Sequence, residues 1–184
     1  MADLAPLSAL GGAEPLAQHI GALTLTENMT LGLASLALPA GGAPPSGLAL
    51  PGPGQWTQGP GRPAFWTGPD QWMVEFPGQA DADVAAMLAR EAPGAAITEQ
   101  TDGFAVFDLE GPEAALLAVM EMLVNLDLRR FGPGMATRTG LHHMAVFVIR
   151  RHAGQVTLLG AHSAAGSLWQ ALSAAATAQA ARSV

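Results

Sequence analysis

The chain has no cysteine, no lysine and no tyrosine. Without thiols it has no disulfide, no thiolate nucleophile and no cysteine metal site, and cysteine usage says nothing about its compartment. Charge is scarce as well. Charged residues are 12% of the 184 positions, about half the usual share. All eight basic residues are arginine, against fifteen acidic ones, which gives a net charge of -7. Such a balance lacks the basic face that nucleic acid needs. No apolar run approaches the ~18 residues of a bilayer span. The start MADLAPLSALGG has no basic residues ahead of an apolar run, so a secretory signal is not expected and the cytoplasm is the expected compartment. What is plentiful is apolar: 49% of the residues, enough for a sizeable core in one domain. With so little charge, the surface is expected either to rely on its net negative charge for solubility or to be covered by a partner. A GC-rich coding bias toward Ala, Gly, Pro and Arg also fits the missing lysine.

Two regions differ in kind. Residues 1–55 carry ALGGAEP, LALPAGGAPPSG and LALPGPGQ, too rich in Gly and Pro for a long helix or a regular sheet. Apolar pieces at Ile20–Leu25 and Leu31–Leu38 make this an arm with short ordered pieces, docked on its own domain or on a neighbour. Residues 56–184 read as an α+β domain. Phe65–Thr67 and Gln71–Phe76 form a hairpin around Gly68-Pro69-Asp70, with Trp72, Val74 and Phe76 on one face. Asp81 is the expected N-cap of a helix whose stripe is Val84, Met87 and Leu88, ended by Pro93-Gly94. Asp102-Gly103 predicts a two-residue turn joining Ile97–Thr101 to Phe104–Leu109 in a hairpin. Pro112 and Glu113 open a second helix with Leu116, Leu117, Met120, Leu123 and Val124 inward. Met135–Gly140, His142–Arg151 and Gln155–Leu159 predict three further strands. Ser163 is the expected cap of a last helix bearing Leu168, Trp169 and Leu172, with a frayed tail over Ser173–Ala181. Repeated hairpin-helix units (ferredoxin-like halves) predict a two-layer sandwich of mainly antiparallel sheet with helices on one face.

No constellation of catalytic residues stands out. His142-His143 are strand neighbours expected to point to opposite faces, so no shared metal is expected. Asp81/Asp83 and Asp108/Glu110 suit helix entry and strand ends better than acid–base work. The pieces GPGQ and GPGRP lack the context and the lysine of a phosphate loop, and Ser163 has no nucleophile elbow. The clusters Arg129-Arg130 and Arg150-Arg151-His152 suit either an anion or partner clamp or solvated element ends. Trp56, Phe65 and Trp66 flank the arm, where buried core and interface anchor are both open readings. The expected partner-facing set is therefore Trp56, Phe65, Trp66, Arg129, Arg130, Arg150 and Arg151, with no catalytic, cofactor-binding or metal-binding residue.

The segments TGPDQW, FDLEGPEA, LDLRRFGPG, TGLHHMAVFVIRR and AGSLWQAL, in this order, resemble the gamma subunit of heterotetrameric sarcosine oxidase, from about Leu48 to Ala175. The resemblance implies a fold similar to the folate-binding domain of the glycine-cleavage aminomethyltransferase. It implies alpha, beta and delta partner subunits that hold NAD, tetrahydrofolate, FAD, FMN and zinc, with no cofactor in this chain. The complex it implies oxidises sarcosine and hands the methyl carbon to folate. His162 stands where members often carry Arg ahead of the last helix, which leaves a paralogous complex acting on another secondary or N-methyl amine open. Two rivals stand beside it: a small folate-binding protein, gripping its ligand through Arg150 or Glu75, and a scaffold unrelated to amine oxidation.

Overall fold

A computed structural model describes residues 7–59 and 61–182; part of the stretch read for a signal, Met1–Pro6, lies outside them. Eleven strands and three helices follow in order: β1 Ala17–Ile20, β2 Leu23–Glu27, β3 Gly32–Ala37, β4 Trp56–Thr57, β5 Ala64–Gly68, β6 Gln71–Phe76, α1 Val84–Glu91, β7 Ala96–Glu99, β8 Phe104–Glu110, α2 Glu113–Leu123, β9 Met135–Leu141, β10 Met144–His152, β11 Gln155–Ala161 and α3 Ala165–Arg182. The class is α+β and the strand pairs are antiparallel. The strands divide into two sheets rather than one: a six-stranded sheet in the order β1-β2-β8-β11-β10-β9 and a five-stranded sheet in the order β4-β5-β6-β3-β7.

The burial pattern stacks four layers. Leu116, Val119 and Met120 of α2, with Leu168 and Leu172 of α3, pack on the outer face of the six-stranded sheet against Phe107, Val148 and Leu158. Val84 and Leu88 of α1 pack on the outer face of the other sheet, against Val74 and Phe76. Between the sheets lie Leu33, Phe65, Met73, Val106, Ile149 and Leu159. Helices thus cover both outer faces, and the two inner faces form a third core. Among the described residues no helix is long and apolar enough to cross a membrane.

Several local expectations change. Residues 17–37, read as pieces of an arm, supply β1, β2 and β3, and β3 lies between β6 and β7 inside its sheet. Asp102-Gly103 does not make a hairpin. Thr101–Gly103 is a 3-10 turn that carries the chain from β7 in one sheet to β8 in the other. The Thr101 hydroxyl accepts the Leu33 N–H at 2.9 Å, and Gln100 N–H donates to Leu33 O at 2.9 Å, so β7 stays with β3. The cap of α1 is Asp83, whose carboxylate accepts Ala86 N–H at 2.9 Å, not Asp81. A 3-10 turn, His162–Ala164, precedes α3 in place of a Ser163 cap. The alanine-rich end of α3 is docked, with Ala175 and Ala176 buried and Ser173 Oγ bonded to Gln18 Oε1 at 3.2 Å. Small side chains let the helix approach the β1–β2 turn. Gly21, at φ +58°, has room for nothing larger, because a Cβ there would lie 2.8 Å from Ala180 Cβ.

The hairpin around Gly68-Pro69-Asp70 forms as expected. Gly68 pairs with Gln71 and Asp70 takes the left-handed conformation at φ 56°, a conformation that short polar side chains tolerate better than most.

Candidate functional site: a polar cluster between the sheets

The layer between the sheets changes character along its length, and strand periodicity is the reason. Residues two apart on a strand share a face. Met73, Val106, Ile149 and Leu159 are apolar and buried between the sheets. Two residues after Met73, Val106 and Ile149, and two before Leu159 on its antiparallel strand, stand Glu75, Asp108, Arg151 and Thr157. The apolar slab therefore ends in a polar cluster built from both sheets.

The cluster is closely bonded. Arg151 donates from Nη1 to Glu75 Oε2 at 2.6 Å and from Nη2 to Glu75 Oε1 at 2.9 Å. This is the bidentate fork that matches guanidinium to carboxylate. Arg151 Nε donates to Thr157 Oγ1 at 2.9 Å, and the Thr157 hydroxyl donates to Asp108 Oδ1 at 2.5 Å. Asn28 Nδ2 donates to Asp108 Oδ2 at 2.9 Å. The Trp56 indole N–H reaches Glu75 Oε2 at 3.2 Å, and the Arg151 guanidinium carbon lies 4.8 Å from the Trp56 ring centroid, within cation–π range. The Glu75 side chain is 2% exposed and that of Arg151 12%. The pair thus sits where desolvation is large and is tolerable only because its hydrogen bonds are made.

A cleft of about 370 Å³ opens onto the cluster, walled by Leu31, Trp56, Pro63 and Pro77, with Gln58 and Gln155 also lining it. The groups at its floor are already engaged: the three guanidinium nitrogens of Arg151 and both oxygens of Glu75 and Asp108 have partners. A ligand carboxylate would have to displace Glu75 from a two-bond fork. The arrangement acts as a clamp between sheets, and its spare capacity is that of acceptors.

The remaining candidate residues are scattered. Arg150 points to the opposite face of β10. It is 2% exposed, donates to Glu113 Oε1 at 2.6 Å and to Phe131 O at 3.3 Å, and ties β10 to the start of α2. Its Nε has no partner among the described residues. Phe65 is fully buried between the sheets, 5.2 Å from Phe147 between ring centroids. Burial leaves neither Arg150 nor Phe65 a surface to offer. Trp66 is half-buried against the α1-side core. Arg129 and Arg130 are exposed on the loop after α2, with Arg129 Nε 3.4 Å from Asp127 Oδ1. Of the seven, Trp56 meets both Arg151 and its cross-strand partner Phe65. His142 and His143 are not a strand-start pair. They form the exposed two-residue turn between β9 and β10, with His142 at φ 51°. Among the described residues no three His, Asp or Glu side chains converge on a metal position.

Thr157 and Asn28 escaped the sequence reading. The only local sign for Thr157 is a hydroxyl at an inward position of an otherwise apolar strand, QVTLLGA.

No protein-family model and no curated protein matches the chain. Among solved structures, it matches a chain of "Heterotetrameric Sarcosine Oxidase from Corynebacterium sp. U-96 in complex with pyrrole 2-carboxylate" with a TM-score of 0.72 and 23% identity, over 89% of this chain and 88% of that one. The likeness is one of fold. It extends over nearly equal shares of the two chains.

Proposed function

We propose that this chain is a non-catalytic structural subunit of a heterotetrameric sarcosine-oxidase-like flavoenzyme complex, of the gamma type. The observation that carries the reading is the shared fold over 89% of this chain with a chain of that assembly. Two features support it: a surface poor in charge, and a polar cluster whose groups are committed to one another.

In this reading the alpha, beta and delta subunits hold NAD, tetrahydrofolate, FAD, FMN and zinc, and this chain holds none. The assembly demethylates sarcosine oxidatively and passes the one-carbon unit to tetrahydrofolate, in the cytoplasm. A paralogous assembly acting on another secondary or N-methyl amine would use the same subunit fold. The small folate-binding reading has less support, since Glu75 is held by Arg151 and Arg150 is buried against α2. The expected result of a tetrahydrofolate titration of the isolated chain is no saturable binding.

The test is co-expression of the tagged chain with the flavin-bearing subunits of a sarcosine-oxidase-like complex. Flavin absorbance is expected to follow the tag through affinity capture and size exclusion. A folded chain that elutes alone, with no flavin, contradicts the proposal.

A further inference from the structure

We propose that the cleft between the two sheets is a socket for one arginine side chain of a neighbouring subunit, with Asp108 as its counter-charge. The inference rests on the subunit reading above and adds a place and a chemistry to it.

The charge balance of the cluster is the first ground. Glu75 and Asp108 are two carboxylates, and Arg151 is the one guanidinium between them. Glu75 takes both Nη groups, at 2.6 and 2.9 Å, and Asp108 is reached only through the Thr157 hydroxyl. Asp108 makes no ion pair among the described residues; its direct partners there are the neutral Asn28 amide and Thr157 hydroxyl. His152, which also lines the cleft, accepts Gly154 N–H on Nδ1 at 3.1 Å. One negative charge is left over on a half-buried carboxylate, where water compensates it poorly. The chain's other paired arginines lie elsewhere: Arg62 on Glu91, Arg129 on Asp127 and Arg150 on Glu113.

Shape is the second ground. The cleft measures about 370 Å³, at the small end of ligand pockets, and its walls are Leu31, Trp56, Pro63 and Pro77. Apolar and aromatic walls suit the methylene stem of an arginine, and a carboxylate at the floor suits its fork. Arginine in a desolvated pocket is a recurrent interface anchor. No anion is expected here, since two carboxylates would face it.

Two measurements on the full chain test this. The first is affinity for the flavin-bearing subunits. Asp108→Asn is expected to weaken association about tenfold or more. Gln58→Arg, which supplies the missing cation from the chain itself, is expected to do the same while keeping the melting temperature at or above the parent's. Glu121→Gln, on the exposed side of α2, is expected to stay within about twofold. Parent-like affinity for both cleft variants overturns the socket. The second follows the Trp56 indole N–H by NMR during titration of the isolated chain with L-arginine amide. A saturable shift that Asp108→Asn abolishes is expected, and no saturable shift overturns the socket. A shift without any subunit association sinks the subunit reading alone. Tight binding of the free probe with Asp108→Asn association unchanged overturns the socket in favour of a small-molecule cation site.

Discussion

Arg151 on β10 and Glu75 on β6 join the two sheets through two parallel hydrogen bonds of 2.6 and 2.9 Å, across 76 positions of sequence. The pair closes the polar end of a layer whose apolar part includes Leu33, Phe65 and Ile149. A pair this buried is a fixed point of the fold whether or not a partner ever touches it.

Breaking it from one side leaves an unpaired charge. Glu75→Leu or Arg151→Met alone is expected to cost about 3–5 kcal/mol, and the double variant markedly less than the sum. Urea unfolding of the two singles and the double closes the cycle; strict additivity would mean that the fork contributes no coupling.

Removing β3 should be fatal. Leu33 and Leu36 are fully buried, one in the intersheet core and one under α1, and β3 bonds β6 on one side and β7 on the other. A chain starting at Gln55 is expected to show no cooperative thermal transition. A sharp transition and a dispersed NMR spectrum would make residues 1–54 dispensable.

Gly21 tests the docking of α3. Gly21→Ala combines a left-handed backbone with a collision against Ala180 Cβ at 2.8 Å, and is expected to cost about 1–3 kcal/mol. Hydrogen exchange is expected to speed up over the last turns of α3 more than in β10. Uniform acceleration would place the strain elsewhere.

The cap of α1 separates two neighbouring aspartates. Asp83→Ala removes the carboxylate that accepts Ala86 N–H at 2.9 Å and is expected to cost about 1 kcal/mol. Asp81→Ala is expected to change stability by less than about 0.5 kcal/mol, as a surface change away from any such feature. Thermal unfolding of the two variants decides between them.

How much of this was legible in sequence follows from where each signal lives. The β5–β6 hairpin was readable because the turn residues and the alternation of Trp72, Val74 and Phe76 are all local. The inward and outward sides of β8 and β10 were readable for the same reason: Val106/Asp108 and Phe147/Ile149 fall on the intersheet face by simple alternation. Sheet membership was not, because it depends on pairing between distant segments. Asp102-Gly103 looks like a hairpin turn, yet β7 is bonded to β3 and β8 to β2 and β11. Short β3, GLASLA ahead of a Gly- and Pro-rich stretch, carries too little periodicity to announce an inner strand.

The candidate site divides in the same way. Trp56 and Arg151 were singled out because charge and large aromatics are rare in this chain. Their meeting with Glu75 was invisible, since nothing local links positions 56, 75 and 151. Arg150 and Arg151 read as one basic cluster, but successive strand residues point apart. Arg150 went to α2 and Arg151 to the other sheet.

The subunit reading is tested most directly by native mass spectrometry of this chain mixed with the flavin-bearing subunits of a sarcosine-oxidase-like complex. One copy of the 18.8 kDa chain in each flavin-bearing assembly is the predicted result, with the flavins retained by the other subunits after this chain is dissociated. A folded chain found only at its own mass, with the flavoprotein assembling and turning over fully without it, would contradict that role.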